Sequence, residues 1–256
     1  MNVKGRTIAV TGATGGIGRE LCSLLVEQGA SVLALCRSAA PSGTTHLPCD
    51  LSTVEGCDDA AARLTAAAPD ALIHLAGLQY AGPAEGQDAA SLAALTHVNL
   101  HAPMRLSQAV LPLFKAKGGA LVFVSSSFGA IPFPHFAAYS ATKAGMQAYA
   151  EALRRELPPQ LVPVIHIAPR GVDTAMNGVA AREIMKLSGS RMDSPGAVAR
   201  LILQALRRET PETFIGFPES LFVRLNALLP RLVDRALAGR TARMKPFAEE
   251  AACSRS

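Results

Sequence analysis

Tyr139 and Lys143, in the run Ala138-Tyr139-Ser140-Ala141-Thr142-Lys143-Ala144-Gly145, are the side chains of this sequence best suited to moving a proton. Four apart on a helix, they share one face, with the ammonium beside the phenol. A cation there favours phenolate and lowers a tyrosine pKa that starts near ~10, which makes Tyr139 a candidate acid or base near neutral pH. Chance supplies such a Lys for roughly one Tyr in twenty. The plain alternative is a core-edge Tyr with a solvated Lys one turn away, so the pair needs support from elsewhere in the chain. An apolar run over 119–125 leads into Ser126, which places a hydroxyl at the carboxyl end of a central strand, where α/β folds bind ligands.

A second constellation lies near the N-terminus. An apolar strand pattern over 6–11 runs into Gly12-Ala13-Thr14-Gly15-Gly16-Ile17-Gly18, followed by an amphipathic run over 20–28. Strand, glycine turn and helix in that order suit a dinucleotide's pyrophosphate: glycines let the backbone approach, and the helix N-terminus offers free N–H groups and partial positive charge. An ordinary glycine-rich turn is the competing reading. The spacing is G-x-x-x-G-x-G rather than G-x-G-x-x-G. The next strand, 31–35, ends in Cys36-Arg37-Ser38, with no carboxylate to take a ribose 2′-hydroxyl and with Arg37 available for a 2′-phosphate. NADP is therefore favoured over NAD, unless Arg37 is simply a solvated charge. Asp50, after a strand over 44–48, is expected either to accept from an adenine amine or to cap the helix that Ser52 begins. Gly77, after a buried strand over 70–76, would let the backbone lie against the cofactor.

These residues need a scaffold, and the remaining pattern supplies one. A long helical pattern over 89–117, interrupted near Pro103, contains Asn99; the helix carrying Tyr139 is expected to stop at Pro158-Pro159; strands follow over 161–168 and 213–217. Strands and helices alternate with no composition break, so the expected fold is α/β, a doubly wound, mostly parallel Rossmann-type sheet with helices on both faces, over 1–217. A C-terminal helical extension over 218–256, with a flexible tail, completes it.

Bulk properties agree. The 256 residues are 49% hydrophobic with a net charge of +5, enough for one sizeable core. With no Lys/Arg block, nucleic-acid binding is not expected. Cys22, Cys36, Cys49, Cys57 and Cys253 are scattered and form no C-x-x-C pair, so neither a disulfide framework nor a metal site is expected, and a reducing cytoplasm fits. No apolar signal core or spanning-length apolar run is present, so neither secretion by that route nor a membrane span is expected.

Taken together, Thr11-Gly12-x-x-x-Gly16-x-Gly18, Asp50, Ala76-Gly77, Asn99, Ser126, Tyr139-x-x-x-Lys143 and a Pro-Arg-Gly-x-x-Thr loop at 169–174 resemble the short-chain dehydrogenase/reductase family over about residues 5–217. The resemblance implies that Tyr139 is the proton donor or acceptor, that Lys143 lowers its pKa and holds the nicotinamide ribose, and that Ser126 hydrogen-bonds the substrate oxygen. Ser127 is the fallback, although Gly129 completes an S-x-x-G with Ser126. Asn99 would anchor a water linking Lys143 to solvent, and Thr174 would meet the nicotinamide carboxamide. The implied cofactor set is Gly12, Thr14, Gly15, Gly16, Ile17, Gly18, Arg37, Asp50, Leu51, Ala76, Gly77, Asn99, Tyr139, Lys143, Gly171, Val172 and Thr174. The sequence departs from the family where Asn-Asn-Ala-Gly is His74-Leu75-Ala76-Gly77 and where Pro-Gly is Pro169-Arg170-Gly171; His74 reads as an interior histidine. Ser126, Phe128, Phe133, Phe136, Tyr139 and Met176 would line the substrate pocket, which is apolar and suits a hydrophobic ketone, aldehyde, fatty-acyl or steroid-like molecule over a sugar. The expected activity is NADPH-dependent carbonyl reduction by a homodimer or homotetramer, and the rival is a non-catalytic NADP(H)-sensing regulator on the same fold.

Beyond the last strand, Leu221, Phe222, Leu225, Leu228, Leu229, Leu232 and Val233 recur at helical spacing among Arg224, Arg231 and Arg235, and Pro230 is expected to divide them into two short helices. This segment could cover the domain's own core, roof the pocket, contact another subunit, or lie against an anionic membrane through 218–240.

Overall fold

The computed structural model describes residues 1–189, 191–216 and 218–253. Seven strands, β1 (Thr7–Thr11), β2 (Ser31–Cys36), β3 (Thr45–Pro48), β4 (Ala71–His74), β5 (Ala120–Val124), β6 (Val164–Ala168) and β7 (Glu212–Phe214), form one sheet in the order β3-β2-β1-β4-β5-β6-β7. Every pairing is parallel. The central strands β4, β5 and β6 are buried along their whole length, as a sheet covered on both faces requires.

One face is covered by α1 (Gly16–Glu27) and α8 (Pro195–Arg208), which close over Ile8, Val10, Ile73 and Val122. The other carries α2 (Val54–Ala67), α4 (Ala102–Lys117) and α6 (Ala137–Glu156), over Ala9, Leu72, Leu121 and Phe123. The strand order reverses between β1 and β4, which opens a crevice at their carboxyl ends where ligands of such sheets bind. Gly12 leaves β1 with φ +68°, and a Cβ there would lie 2.8 Å from the backbone of Ala76. Only glycine lets the two loops meet this closely.

The interruption expected near Pro103 has another cause. α3 (Ala89–Thr96) passes through a π-helical turn, His97–His101, into α4, and Pro103 sits harmlessly in the first turn of α4. The extra residue of that turn carries Asn99 into the interior, a common use of π-bulges. α2 begins at Val54, with Thr53 as its cap accepting from Gly56 N at 3.0 Å, so Asp50 does not cap it.

Four further helices complete the chain: α5 (Ser127–Ala130), α7 (Val179–Ser188), α9 (Glu219–Leu228) and α10 (Pro230–Cys253). The expected pair of short C-terminal helices is a ten-residue helix followed by one of twenty-four. Pro230 ends the first and starts the second because a proline fits a helix's opening turn. α10 packs along α7, and its Met244 and Ala248 are fully buried against Ile184, Met185 and Phe136. The expected strand end at Phe217 and the tail at 254–256 lie outside the described residues.

Candidate active site

α6 explains why Lys143 is buried. Tyr139, Lys143, Met146, Ala150 and Leu153 recur every three or four residues on the face turned to the sheet, so the lysine occupies a core position of its own helix. Its relative exposure is 4%, its Nζ donates to the carbonyl of Val124 at 3.3 Å, and it lies 5.8 Å from the Tyr139 ring centre. Burial lowers the Lys143 pKa to about 8. Tyr139 is pushed up by burial, partly offset by the neighbouring Ser126 hydroxyl. The lowered phenol expected from the neighbouring ammonium is therefore not the balance struck here, because burial dominates.

The three serines after β5 go to three places. Ser125 bonds the buried His166 through Oγ–Nε2 at 2.6 Å. Ser126 caps α5, accepting from Phe128 N at 3.2 Å, and shares the cavity wall with Tyr139. Ser127 faces a neighbouring apolar cavity. Gly129 lets α5 sit against α6, since a Cβ there would lie 2.8 Å from the main chain of Lys143.

Ser126, Tyr139 and Lys143 line a cavity of about 240 Å3 together with Gly12, Thr14, Gly15, Gly16, Ile17, Gly18, Gly77, Phe128, Gly171, Val172, Thr174 and Met176. The N-terminus of α1 has no side-chain cap, leaving its first N–H groups for a ligand. A Cβ on Gly18 would collide with the Gly12 carbonyl oxygen, and one on Gly16 would lie 2.7 Å from Thr174 Cγ2. A second hollow, about 620 Å3, adjoins the first at Gly12, Thr14, Gly15, Gly77 and Met176 and extends past Arg37, Ser38, Asp50, Leu51 and Ala76. The uncapped helix end, the glycine cradle and the length of the joined hollows fit a dinucleotide. Asp50 stands in the outer hollow, its carboxylate held below the usual range by bonds from Ser52 Oγ (2.7 Å) and N (3.0 Å) and, less, by Arg37.

Three of the expected site residues, Phe136, Asn99 and Phe133, line neither of these hollows. Phe136 is fully buried behind the cavity wall, packed on Phe128, Phe133 and Tyr139, because it opens α6 from the core side. Asn99 is also fully buried: its Oδ1 accepts from Leu78 N at 2.8 Å, and its Nδ2 donates to Leu78 O at 2.9 Å and Thr142 Oγ1 at 3.0 Å. It ties the β4 loop to α6 rather than facing the cavity. Phe133 belongs to the apolar cavity beyond Phe128. His74, stacked on Phe123 and bonded to Ser107 Oγ at 2.9 Å, is kept neutral by burial, with its pKa near 3.

A family model for short chain dehydrogenases matches residues 6–184. The chain belongs to that family. This short-chain dehydrogenase is 30% identical to the bovine (Bos taurus) protein named dehydrogenase/reductase SDR family member 7B, over 93% of the chain and 82% of the relative. It superposes with a TM-score of 0.79 on a short chain dehydrogenase from Burkholderia cenocepacia in complex with NADP, at 27% identity over 93% of this chain and 99% of the other. A 3-ketoacyl-(acyl-carrier-protein) reductase from Brucella melitensis, complexed with NADH, shares the fold with a TM-score of 0.75 at 20% identity, over 85% of this chain and 99% of that one. An oxidoreductase using a nicotinamide cofactor follows from the family.

The structure of this dehydrogenase also shows contacts around the site that the sequence does not record. Arg170 makes a two-pronged pair with Asp193, Nε–Oδ2 at 3.0 Å and Nη2–Oδ1 at 2.7 Å. Backbone bonds Asp173 N to Asp193 O and Asp193 N to Gly171 O, both 2.9 Å, run alongside it. Gln79 Nε2 donates to Asn177 Oδ1 at 3.1 Å, joining two walls of the cleft across 98 positions of sequence. Thr11 Oγ1 accepts from both Leu75 N and Ala76 N at 3.0 Å. Of these, Thr11 and Arg170 carried a signal in the sequence, one as the start of the glycine motif and the other as the odd residue between Pro169 and Gly171; Gln79, Asn177 and Asp193 carried none.

Proposed function

We propose that this dehydrogenase is an NADPH-dependent carbonyl reductase of the cytoplasm, acting on an apolar ketone or aldehyde with Tyr139 as proton donor. What carries the reading is the pair of hydroxyls on Ser126 and Tyr139, which lines one cavity with the glycine loop and with a buried Lys143. A sensor that only bound the dinucleotide would have no use for that pair.

Gly12, Gly15, Gly16, Gly18 and the first turn of α1 would hold the pyrophosphate, Lys143 the nicotinamide ribose, and Gly171, Val172 and Thr174 the carboxamide. Arg37 would take the 2′-phosphate, since β2 ends in Cys36 without a carboxylate. When bound, the reduced nicotinamide supplies the hydride to the carbonyl carbon. Ser126 and Tyr139 hydrogen-bond the substrate oxygen as negative charge develops there, and Tyr139 releases its proton to it. With its pKa raised, Tyr139 holds that proton at neutral pH until the oxygen demands it. The Lys143 ammonium offsets the phenolate left behind. Alcohol oxidation runs the same proton path in reverse. Phe128 and Met176 at the catalytic cavity, and Phe133 beyond them, give the substrate an apolar surrounding. The reading includes a homodimer or homotetramer.

Tyr139→Phe tests it. Cofactor binding by titration stays near normal while turnover across a carbonyl panel falls by at least ~10², as expected for lost acid catalysis. Equal turnover by the variant and the parent would remove the assignment.

A further inference from the structure

The catalytic cavity has a neighbour beyond Phe128. It shares Phe128, Arg170, Gly171 and Met185 with an apolar cavity of about 570 Å3, whose far wall is built from α9 and α10 by residues including Phe222, Leu225, Leu232 and Val233. Two of these wall residues face both ways: Phe222 is 45% exposed and Leu232 50%. They therefore stand at the mouth of the cavity. Around the mouth, Leu221, Leu228 and Leu229 are 55%, 79% and 53% exposed, concentrating much of the exposed bulky apolar surface of the described residues along α9 and its turn into α10. Such a cluster marks an interaction site rather than a solvated face.

The charge around this rim selects the partner. Residues 218–240 hold Arg224, Arg231, Arg235 and Arg240 against Glu219 and Asp234, a net +2 from four minus two. Arg224 falls between Leu221 and Leu228 on one helical stripe, three and four residues away, so cation and apolar groups share a face. A second copy of the chain docked by two-fold symmetry would bring the same arginines against each other. Anionic headgroups above acyl chains match both the charge and the apolar residues.

We propose that the α9–α10 turn docks on an anionic lipid bilayer, with the mouth of the apolar cavity facing the lipid, so that substrates reach Tyr139 from the membrane. That what enters is a carbonyl compound rests on the function proposed above; the docking surface does not.

The sequence contains no tryptophan, so single tryptophans report their own position. Phe222→Trp, Leu229→Trp and, on α3 as a control, Leu92→Trp are mixed with phosphatidylglycerol vesicles whose acyl chains carry bromine quenchers, and with phosphatidylcholine vesicles of the same kind. Quenching at positions 222 and 229 on the anionic vesicles only, with none at 92, is the expected result. In cosedimentation, Arg224→Gln and Arg231→Gln should each lower partitioning about fivefold, the loss expected for one arginine near an anionic surface. Leu228→Glu with Leu229→Glu should abolish binding while cofactor titration stays unchanged. No quenching at 222 and 229, equal quenching on neutral vesicles, or a dimer that Leu228→Glu with Leu229→Glu converts to monomer would overturn the proposal. Lost turnover on every carbonyl, with quenching intact, would count against the carbonyl reductase and leave the docking surface standing.

Discussion

Lys143 shows how a core position can hold a charge. Its ammonium has the Val124 carbonyl as acceptor at 3.3 Å, and burial takes its pKa from an ordinary 10.5 to about 8. Between about 8 and 10 the unfolded chain binds the proton that the folded chain has lost, so this group adds stability as pH rises through that window and costs stability below it. Lys143→Met should therefore be more stable than the parent at pH 7 by about 2–3 kcal/mol, and the difference should close by about pH 10. Thermal melts of both proteins across that range check the sign. Turnover should be lost in the same variant, a trade expected at an active site. Arg37 allows a second prediction. Loss of a charge-assisted arginine–phosphate contact is worth about 1.5–3 kcal/mol, or about ten- to hundredfold in affinity. Arg37→Ala, alone or with Cys36→Asp, should shift preference from NADP toward NAD by that factor. Titration of both cofactors decides it, and tighter NAD binding by the parent would refute the role given to Arg37.

Among the elements, the loop after β6 carries the clearest departure from the family pattern and the clearest compensation. An arginine inserted after Pro169 would widen the carboxamide side of the cleft, yet Arg170 is clamped by Asp193, with side-chain exposures of 14% and 20%. The paired loop segments keep Gly171, Val172 and Thr174 on the cavity wall. Arg170→Ala leaves a half-buried carboxylate without this partner and should cost about 1–2 kcal/mol, a melting shift of roughly 2–8 °C for a chain of this size. The cofactor KM should rise several-fold with little change in kcat, because the loop positions the cofactor and moves no proton. A kcat loss as large as that of Tyr139→Phe would show that the clamp does more than position. The π-helical turn works in the same way on the other wall: it directs Asn99 inward, where one carboxamide fixes both the β4 loop and α6.

For the whole molecule, the sheet positions the site residues and the C-terminal helices wall the apolar cavity beside them. The apolar cavity under α9 and α10 shares Phe128, Arg170, Gly171 and Met185 with the catalytic cavity, and on the function proposed above a substrate with an apolar tail would gain from both. Across a series of straight-chain ketones, kcat/KM should rise about fourfold per added methylene, from ~0.8 kcal/mol for each one buried, until the cavity is full. Val233→Trp, which fills the cavity from its far wall, should flatten the series for long ketones and leave the shortest unchanged. A flat series in the parent would mean that the cavity takes no part in binding. Among the described residues no helix is long and apolar enough to cross a membrane.

The sequence alone determined the strand order of events along the chain, the glycine turn after β1, and the pairing of Tyr139 with Lys143, because each depends on neighbours within one element or one turn. Helical spacing of four puts Lys143 beside Tyr139 whatever the rest of the chain does, and the period of an apolar stripe survives any packing. Tertiary structure decided the matters that depend on distant partners. It separated Ser126 from Ser125 and Ser127 through contacts with Tyr139, His166 and the apolar cavity. It withdrew Phe136 and Asn99 from the cavity surface and raised the phenol that local reasoning had lowered. Desolvation is a property of everything that surrounds a group, and no spacing along the chain records it. The clamp of Arg170 on Asp193 and the link from Gln79 to Asn177 join residues 23 and 98 positions apart, and only the folded sheet brings them together.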